Sequence, residues 1–296
     1  ALAFGSAGLD TEMIRTLRAP RVAAAAGVGA LLALSGLAMQ SLLRNPLADP
    51  YVLGVSGGAA VGALGAMVLG LGALLVQLGA LAGALLSIAL VFALAHRDLA
   101  RLSAAGSADT APRLLLTGVM LAAGWSAVIT LMLAVAPEAQ VRGMLFWLAG
   151  DLSAIESVAL PLAALAVVLL VGFPAARELN VLLRGPAVAA TLGVRVAPLQ
   201  RRLYLLASLA SAVAVTTAGS IGFVGLVVPH ALRLVAGNDQ RVLLPACALA
   251  GGALLVLADT LARSIVAPQQ LPVGVITALV GVPTFLVLLM RRGAPR

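Results

Sequence analysis

The sequence predicts an all-α polytopic membrane protein, and three observations carry that prediction. Only 10% of the 296 residues are charged and the mean hydropathy is +1.11, too few charges to clothe a water-facing surface. Seven runs contain no Asp, Glu, Arg or His: 22–43, 50–95, 114–137, 157–176, 203–229, 242–258 and 264–290. A spanning helix needs roughly 20 apolar residues, and each run approaches or exceeds that length. All 19 basic residues are arginine, and they fall between apolar runs without interleaved aromatics, which make up 3% of the chain. That placement reports topology and argues against a nucleic-acid partner.

Taken in order, Ala1 to Ala7 is a short apolar stretch ahead of Asp10 and Glu12 and is read as the tail of an earlier span. Residues 22–43 form one span. The run 50–95 is long enough for two and breaks near Gly70-Leu71-Gly72, giving 51–70 and 73–95. Residues 114–137 and 157–176 give one span each. The run 203–229 is punctuated by Gly219, Gly222 and Gly225, and its apolar character continues past His230 and Arg233 to Ala236. It is either a single span or a span to about residue 219 followed by a short helix returning through the membrane. Arginine bookkeeping selects the second, because with the returning helix, and 177–202 inside, 14 arginines are cytoplasmic and 5 are outside. Without it the division is 10 against 9, a poor fit to the excess of positive charge expected inside. The runs 242–258 and 264–290 complete nine spans with the C-terminus inside.

The longest polar interruption, residues 177–202, lies on the cytoplasmic side of this topology. Pro186 supplies the fixed φ of a first helical position and Gly193 the left-handed stop, so 186–192 reads as a two-turn helix. A helix so short gains its stability from a partner. An ordinary basic loop between two spans is the plainer alternative. The two halves of the chain also echo each other: Ser35-Gly36 precedes Pro46 as Ala218-Gly219 precedes Pro229. The spans concerned run in opposite directions, the pattern of an inverted repeat.

Other residues have an ordinary reading beside a sharper one. The Gly- and Ala-rich spans suit close helix packing, and Cys247 inside an apolar run offers neither a disulfide nor a metal cluster. Gly54-Val55-Ser56-Gly57 has the form of an intramembrane serine-protease nucleophile, with His230 as its base, but such a tetrapeptide is common by chance in Gly-rich helices. Asp259 is the acid closest to a span interior, and Arg263 follows at the spacing of a self-neutralising helix pair, which fits a paired helix end better than a proton relay. His230 follows Pro229 and is expected to bond the carbonyl that the proline frees. Trp125 and Trp147 are expected to be packing or interfacial residues. Without any Lys the chain can hold no G-x-x-x-x-G-K-[ST] phosphate loop, so nucleotide hydrolysis is assigned to another subunit.

Several segments together resemble the permease subunits of the type II ABC importers for cobalamin, haem and ferric siderophores. They are Leu17-Arg18-Ala19-Pro20-Arg21, Ser35-Gly36 with Gln40, Arg44-Asn45-Pro46-Leu47-Ala48-Asp49-Pro50 and Leu53-Gly54-Val55-Ser56-Gly57-Gly58-Ala59. Farther on come Leu179-Asn180, Leu192-Gly193, the stretch from Ala218 to His230, Arg241 to Pro245, Ala258-Asp259, Ala262-Arg263 and Leu271 to Ala278, all in family order.

The resemblance implies a single transmembrane domain over 1–296 with ten helices per subunit, the first missing here. It implies two permease copies around a central pathway, two cytoplasmic ATPase subunits and a periplasmic binding protein, in the bacterial inner membrane. By the same resemblance 177–202 is the coupling loop, with Leu179, Asn180, Gly185, Pro186, Leu192 and Gly193 at the ATPase contact. Pro186-Ala187 departs from the acidic or polar pair usual after Gly185, which makes that contact more apolar. Arg18, Arg21 and Arg263 are implied as docking partners for glutamates of the binding protein. The span from Leu114 is implied to line the pathway, with Thr110, Pro112 and Arg113 as the cytoplasmic gate, in a loop from His96 that is longer than usual. The implied cargo is a metal chelate, with haem or a ferric siderophore favoured and cobalamin as the alternative. No cofactor is expected in this chain; ATP and Mg would be bound by the ATPase.

Overall fold

The structure, a computed structural model, describes residues 11–104, 110–153, 155, 157–267 and 269–292, and all regular elements among them are helices. Helix α1 (Thr11–Met13) passes through a π-helical turn (Ile14–Arg18) into α2 (Ala19–Leu42), and a 3-10 turn (Pro50–Leu53) leads to α3 (Val55–Val68). Then follow α4 (Ala73–Ala104), α5 (Thr110–Val135), α6 (Glu138–Leu148), α7 (Ala159–Gly172), α8 (Ala176–Leu182) and α9 (Pro186–Thr191). The chain ends with α10 (Val196–Ala218), α11 (Val224–Ala236), α12 (Gln240–Ser264) and α13 (Val273–Arg292).

Helix α2 is the axis of the molecule. Its residues from Ala24 to Leu42 are nearly all buried, as expected of a helix that is apolar all round, and it packs against α7, α10, α11 and α12. Glycine sets how close these neighbours come. A Cβ placed on Gly36 would fall inside the Gly225 carbonyl oxygen of α11, and one on Gly29 would fall inside the Gly251 carbonyl of α12. Helices α3 and α4 are clasped the same way by Gly58 against Gly83 and Gly62 against Gly79, the close approach that small residues permit in a bilayer.

Among the described residues, four helical segments are long and apolar enough to cross a membrane: Ile14–Leu42, Ala73–Leu94, Leu116–Val135 and Gln240–Ser264. The pair α7 and α8, bent by 64°, makes a fifth if taken as one broken span. Helices α3 and α11 and the Val273–Leu288 part of α13 are apolar but shorter, and α10 opens with Gln200, Arg201 and Arg202 in its first turns. The nine expected spans therefore each meet a helix, α11 being the short one after Gly219.

Three boundaries differ from expectation. Helix α12 continues through Asp259 and Arg263 to Ser264, because that ion pair lies along the helix and does not end it. The last helix begins only at Val273, after Leu271 donates its N–H to the Ala262 carbonyl and Val273 to that of Gly150. The expected gate loop is instead largely helix: α4 runs to Ala104, and Thr110, Pro112 and Arg113 lie in the first turn of α5, where a proline costs no helix bond. The side chains of those three residues lie outside the described set, as does Ser107. Helix α6, between two spans, had no periodic apolar signal to announce it.

Candidate functional sites at the two membrane faces

At one end of α12 the structure brings together all three arginines expected to dock a partner. Asp259, 1% exposed, is the hub. The Arg21 guanidinium donates from Nη2 to Oδ1 at 2.7 Å and from Nε to both carboxylate oxygens at 3.0 and 3.2 Å, while Nη1 donates to Gln270 Oε1 at 2.9 Å. Arg263 adds an ion pair at 3.1 Å one helical turn away. Arg18 is buried, with Nη2 near Met13 Sδ, and stands with Arg21 close enough to Arg263 to repel it. Arg21 and Arg263 share the Asp259 carboxylate, so two guanidiniums stand on one carboxylate there. The Asp259–Arg263 pair was legible from spacing; the arrival of Arg21 and Gln270 was not.

At the opposite end of α12 the expected coupling residues divide into scaffold and surface. Leu179 is buried. Asn180 joins α8 to the start of α12: its Nδ2 donates to Asp239 Oδ1 at 2.7 Å and its Oδ1 accepts from the Gln240 N–H at 2.8 Å. Asp239 in turn caps α12 by accepting from the Arg241 N–H at 2.9 Å. The Asn180 amide first, and the Arg241 N–H after it, hold the Asp239 carboxyl below the usual carboxylate range. Gly185 (φ +116°) precedes Pro186 at the first position of α9, and Gly193 (φ +82°) follows its end, as Pro and Gly were expected to do. Between them Leu192 is 66% exposed and Val188 46%, an apolar tip on a two-turn helix.

The crossing of α2 and α11 joins these ends. Pro229 lacks the N–H that would bond the Gly225 carbonyl, and the group that supplies it is Gln40, whose Nε2 donates to Gly225 O at 3.4 Å and Leu226 O at 3.2 Å. Gln40 Oε1 accepts from Arg233 Nη1. This corrects the role expected of His230, which is buried edge-on against Phe285. The signal for Gln40 was present as a lone amide at the end of an apolar run.

The serine-protease arrangement is not formed. Ser56 Oγ is hydrogen-bonded to Ser220 Oγ at 2.8 Å, and Gly54-Val55-Ser56-Gly57 serves packing. Gly54 (φ +73°) caps α3 and its carbonyl accepts from Ser87 Oγ, which accepts from Trp125 Nε1 at 3.1 Å. Gly57 leaves room for the Trp125 side chain, 2.7 Å from where a Cβ would stand. Trp125 is thus a packing residue with a satisfied indole, and Trp147 lines a hollow with Gln77, Arg142 and Gln270. Among the described residues no group of three His, Cys, Asp or Glu could hold a metal ion.

An all-helical membrane chain with a capped two-turn helix at one face and an arginine cluster at the other has the architecture of an ABC importer permease. Residues 1–291 match the FecCD transport family, and the chain belongs to that family. It is 45% identical over 98% of its length to the cobalamin import system permease protein BtuC of Halobacterium salinarum, covering 77% of that protein. To the hemin transport system permease protein HmuU of Yersinia pestis it is 40% identical, over 95% of this chain and 84% of that one. A solved metal-chelate type ABC transporter in an inward-facing conformation superposes with a TM-score of 0.87 at 30% identity, over 98% of this chain and 92% of the other.

Proposed function

We propose that this permease moves a metal chelate from the periplasm to the cytoplasm by alternating access, in a bacterial inner membrane, as one of two copies around a shared pathway. Two cytoplasmic ATPase subunits bind ATP and Mg and drive the cycle, and a periplasmic binding protein delivers the cargo. The observation that carries this reading is the exposed apolar tip of α9, which packs on α8, itself tied to α12 through Asn180 and Asp239, on a chain of the FecCD transport family. A surface made to be gripped and held stiff is what transmission of force requires. Leu179, Asn180, Gly185, Pro186 and Gly193 set its shape and Leu192 makes the contact, while the first turn of α5, with Thr110, Pro112 and Arg113, forms the inner gate.

Leu192→Asp is the direct test. A carboxylate forced into an apolar contact costs on the order of 2 kcal/mol or more, so ATPase association is expected to fall at least tenfold while the melting temperature of the permease stays unchanged. Full assembly and transport-coupled hydrolysis in the variant would reject the assignment.

Arg18, Arg21 and Arg263 are proposed to meet acidic groups of the binding protein. The charge of the cluster acts at a distance, steering the encounter more than any single pair tightens it. Association with the complex in nanodiscs is expected to slow several-fold between low and high salt, and Arg263→Glu to slow it more than Arg263→Ala. Indifference to both salt and charge reversal would leave the arginines as lipid anchors.

For the cargo, haem, ferric siderophore and cobalamin all fit the metal-chelate class. The resemblance to a cobalamin permease at 45% identity and to a hemin permease at 40% supports the two macrocycles evenly. ATPase stimulation by the binding protein loaded with each chelate in turn distinguishes them.

A further inference from the structure

A cleft of about 750 Å³ opens beside the coupling helices, lined by Gln40, Arg44, Arg184, Arg233, Asn238 and Asp239 among others. Its walls come from the ends of α2, α8 and α11 and the linkers that follow them, so it lies at one membrane face. We propose that it holds the phosphate of an anionic phospholipid headgroup.

The charge count favours an anion: three arginines face one aspartate, and that aspartate is committed to Asn180 and the start of α12. The Arg44 and Arg184 guanidiniums are exposed and engaged in no ion pair among the described residues. The Arg233 guanidinium is positioned at the back of the cleft by Gln40. Arg44 itself sits at φ +48°, a left-handed conformation uncommon outside Gly and Asn. It is set there by the turn in which the Asn45 N–H bonds the Gln40 carbonyl and the Leu47 N–H bonds Asn45 Oδ1. Several converging forks suit a phosphate better than a point cation would, and basic pockets between helices on the cytoplasmic side of a membrane bind anionic headgroups.

A lipid is favoured over a soluble anion by what adjoins the cleft. Leu183 and Pro46 line it. Leu47 follows Pro46 directly and Leu234 and Val235 follow Arg233, and all three are exposed, Val235 by 88%. These provide a surface along which acyl chains can lie while the phosphate sits among the arginines. The assignment of this end as cytoplasmic decides only which leaflet supplies the lipid; binding stands or falls without it.

The full chain, delipidated in neutral detergent, would be titrated with phosphatidylglycerol and with phosphatidylcholine of the same acyl chains, and bound lipid counted by native mass spectrometry. Phosphatidylglycerol is expected to be retained at least tenfold more tightly. Arg44→Ala with Arg184→Ala is expected to remove that preference, and Arg241→Ala, outside the cleft lining, to leave it intact. Equal retention of the two lipids, or a preference that survives the double variant, overturns the proposal. Displacement by millimolar inorganic phosphate would overturn it by showing a soluble anion to be the ligand. Displacement by the ATPase subunit would overturn it in favour of a protein contact. If Leu192→Asp abolishes ATPase association while phosphatidylglycerol retention persists, the lipid site and the coupling helix are separate features.

Discussion

Asp259→Ala is expected to destabilise the permease by about 3–5 kcal/mol, the range for leaving a buried charge without its partner. The carboxylate neutralises Arg21 from α2 and Arg263 from its own helix, and both arginine side chains are mostly covered, at 14% and 13% exposure. Removing it leaves mutually repelling guanidiniums at the junction of α2 and α12. The loss would be read as a lowered melting temperature in detergent and a broadened size-exclusion peak. Replacing Arg21 by Met together with Asp259 by Leu should recover at least half of the loss, since Arg263 near its helix end can then reach toward water. A single Asp259→Ala variant that melts within about 2 °C of the parent would show the cluster to carry no stability.

Gly36→Val is expected to be as damaging for a steric reason, costing ~3 kcal/mol or more. Overpacking typically costs 1–3 kcal/mol when side chains can yield, but here the obstacle is the Gly225 backbone. Separating α2 from α11 would also pull Gln40 from the carbonyl that Pro229 leaves bare. Gly143→Ala in α6 is the control, because nothing stands within 4 Å of its added methyl and the helix gains about 0.5–1 kcal/mol from losing a mid-helix glycine. Membrane-extracted yield and melting temperature would separate the two. Equal behaviour would mean that the crossing of α2 and α11 tolerates separation.

What could be read from the residues alone followed from chemistry that acts locally. Pro186 and Gly193 bound a helix whatever surrounds it, and α9 falls between them. Asp259 and Arg263 are one turn apart on any helix. The helices behind the nine apolar runs were visible because a bilayer demands long apolar stretches, and the division of 203–236 at Gly219 because arginines sort by side. Distant pairings left no such trace: Arg21 and Asp259 are 238 positions apart, Asn180 and Asp239 are 59. The gap between α12 and α13 was missed because no charge marks it, although Gln269, Gln270 and Pro272 stand there in the sequence. His230 was expected at the freed carbonyl because it is next to Pro229 in sequence, whereas the bond to that carbonyl is made from a helix nearly two hundred residues earlier.

Helix α12 is tied at both ends, to α8 through Asn180 and Asp239 and to α2 through Asp259 and Arg21. The two aspartates, 20 positions apart, are separated by about 30 Å of helix, close to the thickness of the hydrocarbon. Mechanically this makes α12 a lever: a tilt of one degree about its outer tie carries the inner tie sideways by about 0.5 Å. Pro245, one turn inside the inner end, removes a helix bond just where that displacement is delivered. The rod is therefore stiff for most of its length and compliant next to α8, so motion at the arginine cluster would reach α8 as translation with little imposed twist.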